Sequence, residues 1–129
     1  MEWRTIVAVG VGAAAGGILR LVLTQVVVAR AGIGLAFYAT LAINVTGSFA
    51  IGVVAALAQA KPGFSPLLRA FLATGILGGY TTFSTFSLEA VSLASGGAWA
   101  TAAGYVAASL ALGMAAAFGG LAVGRAVAP

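Results

Sequence analysis

Apolar residues fill this chain in long blocks, and polar residues interrupt them at a few places only. Residues 31–60, 70–88 and 90–124 contain no ionised side chain, and each block reaches the ~20 apolar residues that carry a helix across a bilayer. A fourth block, 5–29, is interrupted only by Arg20, placed near a helix end where its long stem lets the guanidinium snorkel to the interface. The blocks are separated by Ala31-Gly32-Ile33-Gly34, by Lys61-Pro62-Gly63-Phe64-Ser65-Pro66 and by Ser95-Gly96-Gly97, all rich in residues that stop helices. The pattern predicts an all-α integral membrane protein, a single transmembrane domain over residues 1–129 with helices at about 4–29, 35–59, 67–94 and 98–124. Arg4 ahead of an apolar run containing Ala13-Ala14-Ala15 also fits a cleaved signal peptide. Gly12, Gly16 and Arg20, spaced by four on one helical face, fit a retained and packed span instead.

Composition narrows the chemistry. The chain is 62% hydrophobic and 6% charged, far below the roughly 25% charged content of a soluble domain. It has no cysteine and no histidine, and its two acids are Glu2 and Glu89. No disulfide, thiol chemistry, carboxylate pair or metal-ligand cluster can be assembled from these residues, so an enzyme is not expected. The six basic residues are scattered, which argues against nucleic-acid binding and fits membrane flanks. With four spans, Arg4, Lys61, Arg69 and Arg125 fall on one face and Arg30 on the other, a bias toward cytoplasmic termini.

Polar residues recur inside the spans with helical spacing. Thr40, Asn44 and Ser48 stand every four residues in the second helix, as do Thr101, Tyr105 and Ser109 in the fourth, ending on Gly113. Each set makes one stripe. Facing stripes would form a track of uncharged hydrogen-bond donors suited to a small anion, and interhelical bonding that glues the bundle is the competing reading. The densest polar segment is "GILGGYTTFSTFSLE", residues 75–89, with five serine and threonine hydroxyls. Gly75, Gly78 and Gly79 can relax the third helix in mid-membrane, where unwound backbone is tolerated only if it is buried or lines a polar cavity. Free carbonyls there are hard ligands for an alkali cation. Phe83 and Phe86, three apart, share a face; an aromatic edge is positive and attracts a poorly hydrated anion, while plain core packing is the other reading. Four short helices enclose little space, so a solute path is expected between subunits. Gly12, Gly16, Gly120 and Gly124 serve either such a contact or helix packing within one subunit.

These residues resemble the CrcB, or Fluc, fluoride channels of microbes. The likeness is sharpest in "GILGGYTTFSTFSLE", then in "ATLAINVTGSFAIG" of the second helix and "GAAAGGILR" of the first, and loosest in the fourth. The resemblance implies an antiparallel, dual-topology homodimer in the bacterial inner membrane, with two fluoride pores and a central structural sodium ion. It implies sodium held by the carbonyls of Gly78 and Thr81, and a fluoride path lined by Phe83, Phe86, Asn44, Ser84, Thr85, Tyr105, Ser109 and Thr40. Glu89 falls near a pore end, and Arg20 lends positive potential to a vestibule. Gly113 stands where a further hydroxyl would extend the track, and the one-sided basic residues sit against the balanced flanks that dual insertion favours. Two other classes fit four helices. A proton-coupled multidrug exporter needs a membrane-embedded carboxylate, for which Glu89, late in the third helix, is the available residue; a purely structural subunit would leave the stripes as glue.

Overall fold

The computed structural model describes residues 2–128. Helix α1 (Trp3–Ala31) is followed by a 3₁₀ turn (Ile33–Leu35) and α2 (Ala36–Ala60). The third span is divided. Residues 66–80, called α3, form one helical run made of an α-helical turn (Pro66–Arg69), a π-helical segment (Ala70–Leu77) and a short α-turn (Gly78–Tyr80); α4 (Phe83–Ser95) resumes after a break at Thr81 and Thr82. Helix α5 (Trp99–Val127) completes the chain. The three stretches Trp3–Ala31, Ile33–Ala60 and Trp99–Val127 are each long and apolar enough to cross a membrane. The expected four-helix, all-α arrangement with a broken third helix is present, and three of the helices have the length and apolarity of a span.

Local sequence accounts for the ends. Ser65 caps α3, its hydroxyl accepting from the Leu68 N–H at 3.3 Å, with Pro66 in the first helical turn, where proline's missing N–H costs nothing. Connections turn at Gly32, Gly63 and Gly97, all with positive φ, a conformation strained for residues with a side chain.

Helix α2 packs along α5, and α1 packs along α3. Both contacts rest on glycine. A Cβ on Gly16 would fall on the carbonyl oxygen of Ile76, and one on Gly79 would fall on that of Ala13, so these two backbones touch with no room for a methyl. Gly120 plays the same part against the Phe49 carbonyl across the α2–α5 contact. Gly12, Gly16, Gly120 and Gly124 are all buried within one chain. Of the two uses open to them, these glycines serve helix packing inside the subunit.

The glycines of the third span also act otherwise than expected. Gly75 and Gly79 bring α3 against α1, and Gly78 and Gly79 remain helical. Helix loosening takes the form of π geometry over Ala70–Leu77, with the Gly78 N–H reaching back to the Ala73 carbonyl, a five-residue bond typical of π turns. The true interruption lies beyond the glycines, at the two threonines.

Overpacking a close helix contact costs about 1–3 kcal/mol. Gly16→Ala is therefore expected to lower the thermal unfolding midpoint of the detergent-solubilised protein. Gly10→Ala, at a position in the same helix with nothing within 4 Å, is expected to leave it unchanged or raise it slightly, because alanine is the better helix former.

Candidate functional site

The break is made by a side chain from another helix. Asn44 Oδ1 accepts from the Thr82 N–H at 2.9 Å, and Asn44 Nδ2 donates to the Thr82 carbonyl at 3.0 Å. Its carboxamide thus replaces the helical acceptor of the Thr82 N–H and adds a donor to the Thr82 carbonyl, and Thr82 takes extended backbone angles (φ −151°, ψ 118°). The Thr82 side chain then starts α4, its Oγ1 accepting from the Thr85 N–H at 3.2 Å, the bond an N-cap makes.

These substitutions release two specific oxygens. In an unbroken helix the Thr82 N–H would bond to the Gly78 carbonyl and the Thr85 N–H to the Thr81 carbonyl, four residues back. The first donor is taken by Asn44 and the second by Thr82 Oγ1. Gly78 and Thr81 face a cavity of about 340 Å³ that Asn44, Gly47, Ser48, Thr82 and Phe83 also line. No charged side chain lines it. Carbonyl oxygens released in an uncharged, partly enclosed site are the ligand type an alkali cation accepts. The residues present fit such an ion.

Beside the break, hydroxyls converge. Thr82 Oγ1 donates to Thr85 Oγ1 at 3.1 Å and lies 3.3 Å from Ser84 Oγ. A second cavity, about 310 Å³, is lined by Arg20 with Gly17, Thr24, Thr40, Thr82 and Thr85. Arg20 is thus turned inward from within α1, against the expectation that it snorkels from a helix end. Four threonines give the guanidinium polar company there that the lipid face lacks. Its Nε is buried without a hydrogen-bond partner among the described residues, as is Ser109 Oγ.

The two polar stripes do face each other, and Glu89 joins them. Thr40 Oγ1 donates to Glu89 Oε1 at 2.9 Å, and Tyr105 OH donates to Glu89 Oε2 at 2.7 Å. Thr40 is 2% exposed and Tyr105 4%, so both bonds are shielded and, being made to a carboxylate, are stronger than neutral ones. The carboxylate also borders a cavity that opens between the 3₁₀ turn and the α4–α5 connection, with Gly34, Phe37 and Ser92. Farther along, a Cβ on Gly113 would stand 3.7 Å from Ser48 Oγ. The stripes are aligned there too, with glycine in place of a hydroxyl. Thr101 is exposed and outside this arrangement.

Phe83 and Phe86 are neighbours, with ring centroids 5.7 Å apart, yet they differ in environment. Phe86 is 9% exposed and sits against Tyr105, which in turn meets Phe37 edge-on; Phe83 is 77% exposed. Phe37 was not singled out from sequence, nor was Thr46, whose hydroxyl lies 3.0 Å from Tyr80 OH. Thr46 is a threonine in the midst of a span, and that was the available signal. Phe37 carries none, since an apolar ring in an apolar block looks like any other.

Comparison with known proteins gives consistent likenesses. Residues 7–121 match the family described as CrcB-like protein, Camphor Resistance (CrcB). The chain is 47% identical over 122 residues to the "Fluoride-specific ion channel FluC" of Rhizobium meliloti (strain 1021), covering 95% of this chain and 97% of that one. It is 44% identical over 120 residues to the protein of the same name from Roseiflexus sp. (strain RS-1), covering 93% and 96%. With that of Agrobacterium fabrum the identity is 51% over 88 residues, covering 68% and 70%.

Removing the carboxamide leaves the part-buried Thr82 N–H without its partner and takes one donor from the Thr82 carbonyl, at about 1–3 kcal/mol for the unpaired N–H. Asn44→Ala is expected to destabilise the protein and to speed deuterium exchange at the Thr82 amide by at least tenfold. Unchanged exchange would show that another acceptor protects the Thr82 amide and that Asn44 is not what holds it. Asn44→Asp keeps the acceptor for the N–H but sets a carboxylate oxygen against the Thr82 carbonyl, so only partial recovery is expected.

Proposed function

The chain belongs to the CrcB-like family, and on that premise we propose that it is a fluoride channel through which the ion leaves the cytoplasm passively. Fluoride enters a cell as neutral HF and is trapped on dissociation, so a selective leak lowers its toxicity without an energy source. The observation that carries this reading is the pair of buried polar atoms with no hydrogen-bond partner among the described residues, Arg20 Nε and Ser109 Oγ. An unpartnered buried polar group is costly, and a small anion on the track is the acceptor both lack.

The path follows the residues that border the break. Asn44, Ser84, Thr85 and Ser109 supply amide and hydroxyl donors, Thr40 and Tyr105, whose hydroxyl protons go to Glu89, line the path, and Phe83 and Phe86 supply ring edges. Uncharged donors replace hydration without holding the ion as a fixed cation would. Fluoride is small and fits close-set donors; chloride is larger and is excluded. Arg20 draws anions toward the hydroxyl cavity, and Glu89, held by Thr40 and Tyr105, lies toward the opposite opening.

Two copies are needed to finish this site. Phe83 is largely exposed and borders a cavity with Gly78 and Thr81, so a wall of the pathway is missing from one chain. We assign that wall to a second copy inserted antiparallel in the bacterial inner membrane. Gly78 and Thr81 from both copies then offer four carbonyls to sodium. When bound, the ion supplies a fixed positive charge and a tie between the subunits. The chain's own part is to hold those oxygens free of helical partners, which Asn44 and Thr82 do.

Liposomes containing the purified protein test the reading. Fluoride is expected to leave them rapidly while chloride is retained. Glu89→Gln is expected to keep conducting, since no proton exchange is involved; Phe83→Ile, which loses one aromatic contact of about 1 kcal/mol, is expected to slow efflux about fivefold. Equal passage of chloride, or no fluoride permeability above empty vesicles, would exclude a fluoride channel. Abolition by Glu89→Gln would instead favour proton-coupled export.

A further inference from the structure

A further cavity adjoins the one at the break, with Ala73 lining both. It has a volume of about 370 Å³ and is formed where the end of α2 meets the α2–α3 connection and the start of α3, lined by Ala58, Phe64, Pro66, Arg69, Ala73 and Thr74. Its wall is amphipathic. Arg69, exposed, stands at the beginning of the third span, and Thr74 lies about one turn deeper on the same cavity. The hydroxyls of Thr46, Thr81 and Ser87 bond to carbonyls of their own helices; Thr74 makes no such bond among the described residues and stays exposed. The other side chains of the lining are apolar, and no acid lines it among the described residues.

We propose that this cavity binds an anionic phospholipid, with the phosphate on Arg69, a glycerol ester oxygen on Thr74 and the start of an acyl chain along Phe64, Ala70 and Ala73. Three features select a lipid over a free anion. A hydrated inorganic ion gains nothing from an apolar wall, whereas a headgroup and its chain need the charged rim and the apolar floor in that order of depth. The volume exceeds what a single small ion fills. Finally, Arg4, Lys61 and Arg125 lie at helix ends on the same face as Arg69, and each basic residue near an anionic membrane surface adds attraction of a common size. This assignment does not depend on the fluoride reading, since it uses none of the residues on the ion path.

The test titrates purified protein in an uncharged detergent with phosphatidylglycerol, phosphatidylcholine or inorganic phosphate, and counts retained ligand by native mass spectrometry. Wild type is expected to retain phosphatidylglycerol in preference to phosphatidylcholine. Arg69→Gln is expected to weaken retention about fivefold or more, and Thr74→Val to weaken it less while leaving the fold unchanged. Lys61→Gln, which removes a cation from the same face outside the cavity, is the control and is expected to change little. Equal losses in Arg69→Gln and Lys61→Gln would reduce the effect to general surface charge and overturn the site. Displacement of the lipid by millimolar inorganic phosphate, or no response to Thr74→Val, would also overturn it.

Discussion

Two hydrogen bonds from one carboxamide organise the centre of this protein. A backbone N–H and C=O in the middle of an apolar span must be paired, because no water is available to pair them. Asn44 pairs both on Thr82, so the third span can stop and restart where an ordinary helix could not. Everything distinctive follows from that local exchange of partners. Gly78 and Thr81 lose their donors, Thr82 becomes the cap of α4, and the start of α4 presents Phe83, Ser84 and Thr85 beside the gap.

A break held by one side chain needs a rigid setting, and glycine contacts provide it. The backbone of α1 lies directly on that of α3 at Gly16 and Gly79, while Gly120 brings α5 onto α2. Asn44 sits in α2, which α5 supports along its length. The Thr40–Glu89–Tyr105 bonds then tie α4, the far side of the break, to the same α2–α5 pair. The two sides of the interruption are therefore anchored separately, α3 on α1 and α4 through Glu89 on the α2–α5 pair. In such a frame, Arg20 Nε and Ser109 Oγ are held without a hydrogen-bond partner among the described residues.

Spans and connections could be read from sequence because long apolar blocks and glycine–proline clusters are local signals. That the third helix breaks was legible as well, from the polar density of residues 75–89. Sequence placed the break at Gly78 to Thr81, and it falls at Thr81 and Thr82. Its cause was not legible: Gly75 and Gly79 serve contact with α1, and the interruption is imposed by a residue 38 positions earlier. The facing of the two stripes was anticipated, yet its link through Glu89 required three helices to be set in place. Likewise, three-residue spacing puts Phe83 and Phe86 side by side but cannot say that one ring is core and the other open. Arg20 shows the same limit. A long cationic side chain can reach outward or inward, and only the threonines gathered from α2 and the break decide the direction.

The central claim is that the break held by Asn44 is what makes the proposed cation site. It is tested most directly by following thermal stability of the purified protein as sodium replaces an organic cation too large to enter, in wild type and in Asn44→Ala. The account predicts that sodium raises the unfolding midpoint of the wild type and that the increment largely disappears in the variant, in which nothing holds the break that sets the Gly78 and Thr81 carbonyls free. Equal stabilisation of both proteins, or none in the wild type, would contradict it.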